Sequence, residues 1–153
     1  MNSRTNPFAA APGLTQSLVD FGNGVVKAGL EPSLMELVKI RASQINGCAT
    51  CLHMHTREAR KGGETEERLY LLDAWRGTTL YSPRERAALA WTEALTLVSQ
   101  TRAPDADYQA LEAEFTPQEQ VSLTMLIVVI NGFNRIGVGF QLGDPAAAQR
   151  QAA

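Results

Sequence analysis

The sequence predicts an all-α chain folded as a single-domain helical bundle of six or seven helices. Apolar residues recur every three or four positions along most of the chain. Ser82-Pro83-Arg84-Glu85 and Thr116-Pro117-Gln118-Glu119 are two capping boxes, each with proline at the first helical position. No segment alternates β-branched and polar residues between turns, so the strand signature is missing.

Each element follows from local chemistry. From Leu14 to Gly29, the residues Leu14, Leu18, Val19, Phe21, Val25 and Val26 fall on one apolar face, and Gly29 is a stop. Pro32 fits a first turn, and Leu34, Leu37, Val38, Arg41 and Ile45 follow at helical spacing until Asn46-Gly47. A short helix then begins near Cys48 and ends at Gly62-Gly63. Leu69, Leu72 and Trp75 predict one helix from Glu66 to Trp75. The first capping box opens a helix through Ala88, Trp91, Leu95 and Val98. The second opens one through Leu123, Leu126, Ile127 and Ile130, and Asp105 to Phe115 between them is also helical. Gly132, Gly137 and Gly139 lower helix propensity by about 1 kcal/mol each relative to alanine. They read equally as a close helix contact, between subunits included, or as a kinked or frayed end.

A chain of 153 residues is long enough for one domain with a real core. It divides into a flexible segment 1–11, a helical domain 12–142 and a flexible tail 143–153. Hydrophobic residues make up 44% and charged residues 20%, a balance that folds. Fourteen Lys/Arg against sixteen Asp/Glu give a net charge of -2, which calls for neither nucleic acid nor an anionic membrane. The longest unbroken apolar run, Met125 to Ile130, is far short of the roughly 20 residues of a membrane span. Arg4 is followed only by Phe8-Ala9-Ala10-Ala11, too little for a secretory signal, so the expectation is a cytoplasmic protein. Trp75, Trp91, Tyr70 and Tyr81 are expected in the core or a subunit contact, and Met35 and Met54 as core fillers. His53 is expected exposed or interfacial, and Arg57, Arg60 and Lys61 on a solvated helix face.

The chemistry concentrates between Glu36 and His55. Cys48 and Cys51 are the two cysteines of the chain and form one C-x-x-C, whose spacing brings both sulfurs to one side of a helix. His55, four residues on, stacks on the same face as Cys51. Because Asn46-Gly47 breaks the preceding helix, the positive end of the next helix dipole lies under the thiols and favours thiolate. His55 adds to this by taking a proton or by hydrogen bonding to sulfur. A structural disulfide would stabilise little across so short a loop. A zinc site built from Cys48, Cys51, His55 and Glu36 lacks the second Cys/His knuckle usual for structural zinc. Attachment of c-type haem requires histidine directly after the second cysteine, where this chain has Leu52. A redox-active dithiol fits best. Glu36 read by itself is a solvated surface carboxylate.

The run Glu36-x11-Cys48-Ala49-Thr50-Cys51-x3-His55 resembles the core motif of the AhpD-like alkylhydroperoxidases of the carboxymuconolactone decarboxylase superfamily. The flanking Glu36 to Gly47 and His53 to Gly63, and the closing Asn131-Gly132-Phe133-Asn134-Arg135-Ile136, are similar as well, over about residues 15–142. The resemblance implies an all-α subunit in a homo-oligomer, a trimer or hexamer, and a peroxidase without haem, flavin or metal. It implies that Cys51 attacks the peroxide, that Cys48 resolves it as the Cys48–Cys51 redox disulfide, and that Glu36 and His55 relay protons. The implied partners are a hydroperoxide substrate and an external dithiol reductant, lipoyl or thioredoxin-like. Thr50 departs from the family, whose well-studied members carry histidine between the cysteines. His53, two residues past Cys51, lies on another side of the helix. Two rival functions stay open. One is a redox-sensing or disulfide-exchange protein without peroxidase turnover. The other is a carboxymuconolactone decarboxylase-type lyase, although such members generally lack the C-x-x-C.

Overall fold

The computed structural model describes residues 4–143. Among them are nine α-helices and one 3₁₀ helix, and no strand. The α-helices are α1 (Pro7–Ala10), α2 (Pro12–Val26), α3 (Pro32–Asn46), α4 (Ala49–Lys61), α5 (Glu66–Tyr70), α6 (Pro83–Thr96), α7 (Val98–Thr101), α8 (Asp105–Glu114) and α9 (Pro117–Gly139). The 3₁₀ helix, Leu72–Gly77, lies between α5 and α6. Prolines open α1, α2, α3, α6 and α9, where the missing N–H has no intrahelical partner to lose. Both capping boxes form: the Ser82 and Thr116 hydroxyls accept from the Glu85 and Glu119 N–H groups, and each glutamate accepts from the cap N–H in return.

Helix α3 is the central element and packs on α4, α6 and α9. Its two sides feed two cores. Leu34, Met35 and Val38 join Trp91, Leu111, Leu123, Leu126 and Ile127 in the larger one. Leu37 and Ile40 join Leu69, Leu72, Trp75, Tyr81 and Leu89 in the other. That two-sided burial matches the near-continuous apolar run Leu34 to Ile40, interrupted only by Glu36 and Lys39.

Several expectations need correction. The bundle has more helical pieces than six or seven, because α1 and α7, of four residues each, are too short to show a sequence period and one predicted helix divides in two. The stretch Glu66 to Trp75 is two elements, broken where Leu71 leaves the α-helix and the chain tightens into the 3₁₀ turn. Residues 7–10 of the segment read as flexible form a helix capped by the Asn6 side chain. Most of the tail 143–153 lies outside the described residues. On α2 the predicted apolar face is mostly not core: Val25 is buried, but Leu14 is 78% exposed, and Phe21 and Val26 are exposed too. Of the two places expected for the aromatics, Trp75, Trp91 and Tyr81 take the core, and Tyr70, at 74% exposure, lies outside it. Met35 is core, and Met54 is exposed.

Helix α9 is long and apolar enough to cross a membrane by length and composition alone, although its longest unbroken apolar run is short. Half of that stretch is buried in the protein, against α2, α3 and α6 among others. Its buried polar residues tie it to α3. The Asn46 amide donates to Asn131 Oδ1 (3.0 Å) and Asn134 Oδ1 (2.9 Å). Asn134 Nδ2 donates to Ser43 Oγ at 2.9 Å, and Ser43 in turn donates to the Lys39 carbonyl. Asn131 Nδ2 donates to Thr96 Oγ1 on α6. No buried side-chain nitrogen or oxygen among the described residues lacks a partner. This network sets the register of α9 on α3, because sliding either helix would orphan several groups in a dry interior. Asn134→Leu keeps the branched skeleton but is bulkier and leaves Asn46 and Ser43 short of a partner, so it should lower unfolding free energy by about 2 kcal/mol or more, read from the denaturant midpoint.

Candidate functional site

The site is built at the junction of α3 and α4. Gly47 ends α3 in the left-handed region (φ +67°), a conformation that costs other residues dearly. The Cys48 N–H then donates back to the Ser43 carbonyl at 3.0 Å, closing the turn. Cys48 is the N-cap of α4, with no hydrogen bond from its side chain to the helix end, and Cys51 sits in the first turn. Their Cα atoms are 5.3 Å apart and the two sulfurs are joined in a disulfide. Cys51 therefore lies at the positive end of the α4 dipole, where a thiolate is favoured.

Helix α9 crosses above this pair. A Cβ built on Gly137 would stand 2.7 Å from Cys48 Sγ and 3.6 Å from Cys51 Sγ, so only glycine leaves room for the sulfurs. The close contact expected of the late glycines is thus real at this position and lies within one chain. Gly132 instead faces Leu18, and Gly139 meets nothing within 4 Å.

The relay candidates form a second pair. His55 Nδ1 and Glu36 Oε2 are 3.0 Å apart, joining α4 to α3, and both side chains are largely buried. Glu36 Oε1 also accepts from the Lys39 ammonium one turn along α3. Burial works against the Glu36 carboxylate, but the hydrogen bonds from His55 and Lys39 outweigh it and hold the carboxyl below its ordinary value of 4.5. The solvated reading of Glu36 does not hold. Lys39 escaped the sequence reading, although its i+3 spacing from Glu36 is a recognisable ion-pair signal.

The two pairs meet at a cavity of about 530 Å³. Cys51, His55 and Lys39 line it, with walls from Val19, Val26, Met54, Phe133, Ile136 and Leu142. Met54, read as a core filler, belongs to this wall. Cys51 is 6% exposed and Cys48 only 1%. Among the described residues no hydrogen bond links the His55 ring to either sulfur, so a proton passing between them crosses part of the cavity. His53 approaches Arg57 and does not line the cavity. Thr50 Oγ1 donates to the Leu142 carbonyl (2.7 Å) and also approaches the Gly143 carbonyl (3.1 Å). No three His, Cys, Asp or Glu side chains are grouped to hold a metal ion among the described residues. A larger concavity of about 700 Å³, between Trp75, Arg86 and α8, shares no lining residue with the dithiol cavity.

The chain as a whole is similar to known proteins. A model of the carboxymuconolactone decarboxylase family matches residues 12–94. The uncharacterised protein YdfG of Bacillus subtilis (strain 168) is 38% identical over 149 residues, 97% of this chain and 100% of that one. The uncharacterised protein YnjA of Escherichia coli (strain K12) is 30% identical over 105 residues, 69% of this chain and 57% of that one. The crystal structure of ATU0492 from Agrobacterium tumefaciens, a protein of unknown function proposed as the antioxidant defence protein AhpD, superposes with a TM-score of 0.91 at 40% identity. It covers 94% of this chain and 99% of that one. The debrominase Bmp8 shares the fold at 15% identity, with a TM-score of 0.82 over 94% of this chain and 76% of that one.

Two outcomes follow from this geometry. Gly137→Ala forces the Cys48 sulfur to move, an overpacking worth about 1–3 kcal/mol. The oxidised protein should lose more stability than the reduced one, since a free thiol can rotate away; denaturant titrations of both states check this. Glu36 releases its proton more readily folded than unfolded. Its contribution to stability is therefore complete above its ordinary value of 4.5 and is lost as the pH falls below it. Glu36→Gln should flatten the decline in stability between about pH 5 and pH 3.

Proposed function

The chain belongs to the carboxymuconolactone decarboxylase family, and from that premise we propose that it is a cofactor-free thiol peroxidase that reduces organic hydroperoxides. The observation that carries the reading is the Cys48–Cys51 disulfide at the opening of α4, with Cys51 sharing a cavity with a carboxylate-bound histidine. The likeness to ATU0492 supports an antioxidant role of this kind.

An ionised Glu36 accepts from Nδ1 of His55 and so selects the Nδ1–H tautomer. Nε2 is then left to take the Cys51 proton, with the α4 N-terminus stabilising the thiolate. The thiolate attacks the distal oxygen of the hydroperoxide. The O–O bond breaks, the leaving alkoxide takes a proton from the imidazolium, and Cys51 becomes a sulfenic acid. Cys48 attacks that sulfur, water leaves, and the disulfide forms. An external dithiol restores the pair by exchange. In this reading the apolar side chains exposed on α2 and α9, Leu14, Phe21, Val121 and Val128, are covered by further copies of the chain in a homo-oligomer.

Purified protein should consume cumene hydroperoxide when supplied with dihydrolipoamide, and Cys51→Ser should abolish turnover. His55→Ala and Glu36→Gln should each slow it by about 10²-fold or more, the usual scale of acid–base catalysis. Full turnover in Cys51→Ser, or oxidation of the wild type that stops after one equivalent with dithiol present, overturns the assignment.

A further inference from the structure

Two cavities flank the dithiol. The 530 Å³ cavity is lined by Cys51 and not by Cys48, whereas a second cavity of about 470 Å³ is lined by Cys48 and not by Cys51. Thr50, Gly137 and Leu142 are walls of both and form the partition between them. The second cavity is small-featured and uncharged: Gly47, Ala49, Val138, Gln141 and Gly143 complete its lining.

The chain Gln141–Gly143, just past the end of α9, straps this partition in place. Gln141 holds φ +50°, a left-handed conformation uncommon outside glycine. The Leu142 N–H donates to the Gly137 carbonyl at 3.0 Å, and the Thr50 hydroxyl reaches the Leu142 and Gly143 carbonyls. A strained turn is thus pinned to the first turn of α4 by one side-chain hydroxyl.

We propose that the second cavity is the entrance for the reductant, a slender uncharged dithiol arm that attacks Cys48, and that the Thr50-latched strap gates it. The proposal takes from the peroxidase reading only the origin of the disulfide. The arm's thiolate bonds to Cys48 Sγ, the Cys48–Cys51 bond breaks, and its electron pair goes to Cys51 Sγ. Cys51 is the better leaving group, because it departs as a thiolate in the first turn of α4 on the cavity that His55 lines. Attack from the other side would first expel Cys48, whose side chain makes no cap hydrogen bond and whose own cavity has no acid or base in its lining. The arm's second thiol, after losing its proton to water, attacks the arm's first sulfur. A cyclic disulfide forms, and Cys48 leaves as a thiolate that takes a proton. Two electrons have then passed from the arm to the pair.

The test uses the whole protein oxidised with diamide, so it reads the gate whether or not hydroperoxides are substrates. Absence of oxidation by cumene hydroperoxide would sink the peroxidase reading alone. Reduction by dihydrolipoamide is followed by quenched alkylation. Thr50→Val should speed reduction about five-fold, the effect of losing one latching hydrogen bond, and Thr50→Ser should restore the wild-type rate. An unchanged or slower rate in Thr50→Val overturns the proposal. Independently of any variant, wild-type protein treated with 2-mercaptoethanol, acid-quenched and peptide-mapped should carry the adduct on Cys48. An adduct on Cys51 overturns it.

Discussion

Helix α9 passes so close to the α3–α4 junction that the sulfurs occupy the space a side chain at position 137 would need. Much of the structure serves that crossing. The Asn46–Asn131–Asn134–Ser43 network fixes α9 lengthwise on α3. The Gly22 Cβ position lies 3.3 Å from Val129, so α2 also approaches α9 closely from another side. Gly47 turns the chain so that α4 starts under α9. A shift of α9 by one residue would replace Gly137 with Ile136 or Val138 over the dithiol, and the cavity wall and the sulfurs would no longer fit. Packing interiors tolerate little such error, because voids and overlaps each cost of the order of 1 kcal/mol or more.

The second constraint is electrostatic. Glu36 is a mostly buried carboxylate, and such a group persists as an anion only where donors replace its lost water. His55 and Lys39 supply those donors on its two oxygens. The arrangement makes Glu36 an anchor for the histidine and fixes which ring nitrogen carries the proton. A parallel cluster sits on the far side of α3. Burial opposes the Glu93 carboxylate there, and hydrogen bonds from Arg76, Trp75 and Arg41 hold it below its usual range. That cluster joins α3, the 3₁₀ helix and α6 and touches no cavity at the dithiol, so the same physics serves structure in one place and the candidate chemistry in the other.

What the sequence made legible follows from the range of each signal. The helices α3, α4, α6, α8 and α9 were readable because proline starts, capping boxes and glycine stops act within a few residues. So was the C-x-x-C at a helix opening. The exposed face of α2 was not: periodicity marks where apolar residues point and says nothing of whether the facing surface belongs to the same chain. The split of Glu66 to Trp75 depends on how Tyr81 and Arg68 close the loop, since the Tyr81 hydroxyl donates to the Arg68 carbonyl. Contacts across many residues, such as Gly137 on Cys48 or Thr50 on Leu142, leave no local mark. Glycines on a late helix hinted at close approach without naming the partner.

Thr50 shows why such a contact matters. The motif resembles one in which well-studied members place a titratable histidine between the cysteines. Here the residue is a hydroxyl that directs its one proton to the carbonyls of Leu142 and Gly143. A proton engaged there is not offered to sulfur, and threonine does not titrate in the range where thiols do. In the proposed reading the acid–base chemistry at Cys51 falls on the Glu36–His55 pair, while Thr50 holds the chain just past α9 against the start of α4. In the proposed route for the reductant, that contact controls access to the Cys48 face of the disulfide.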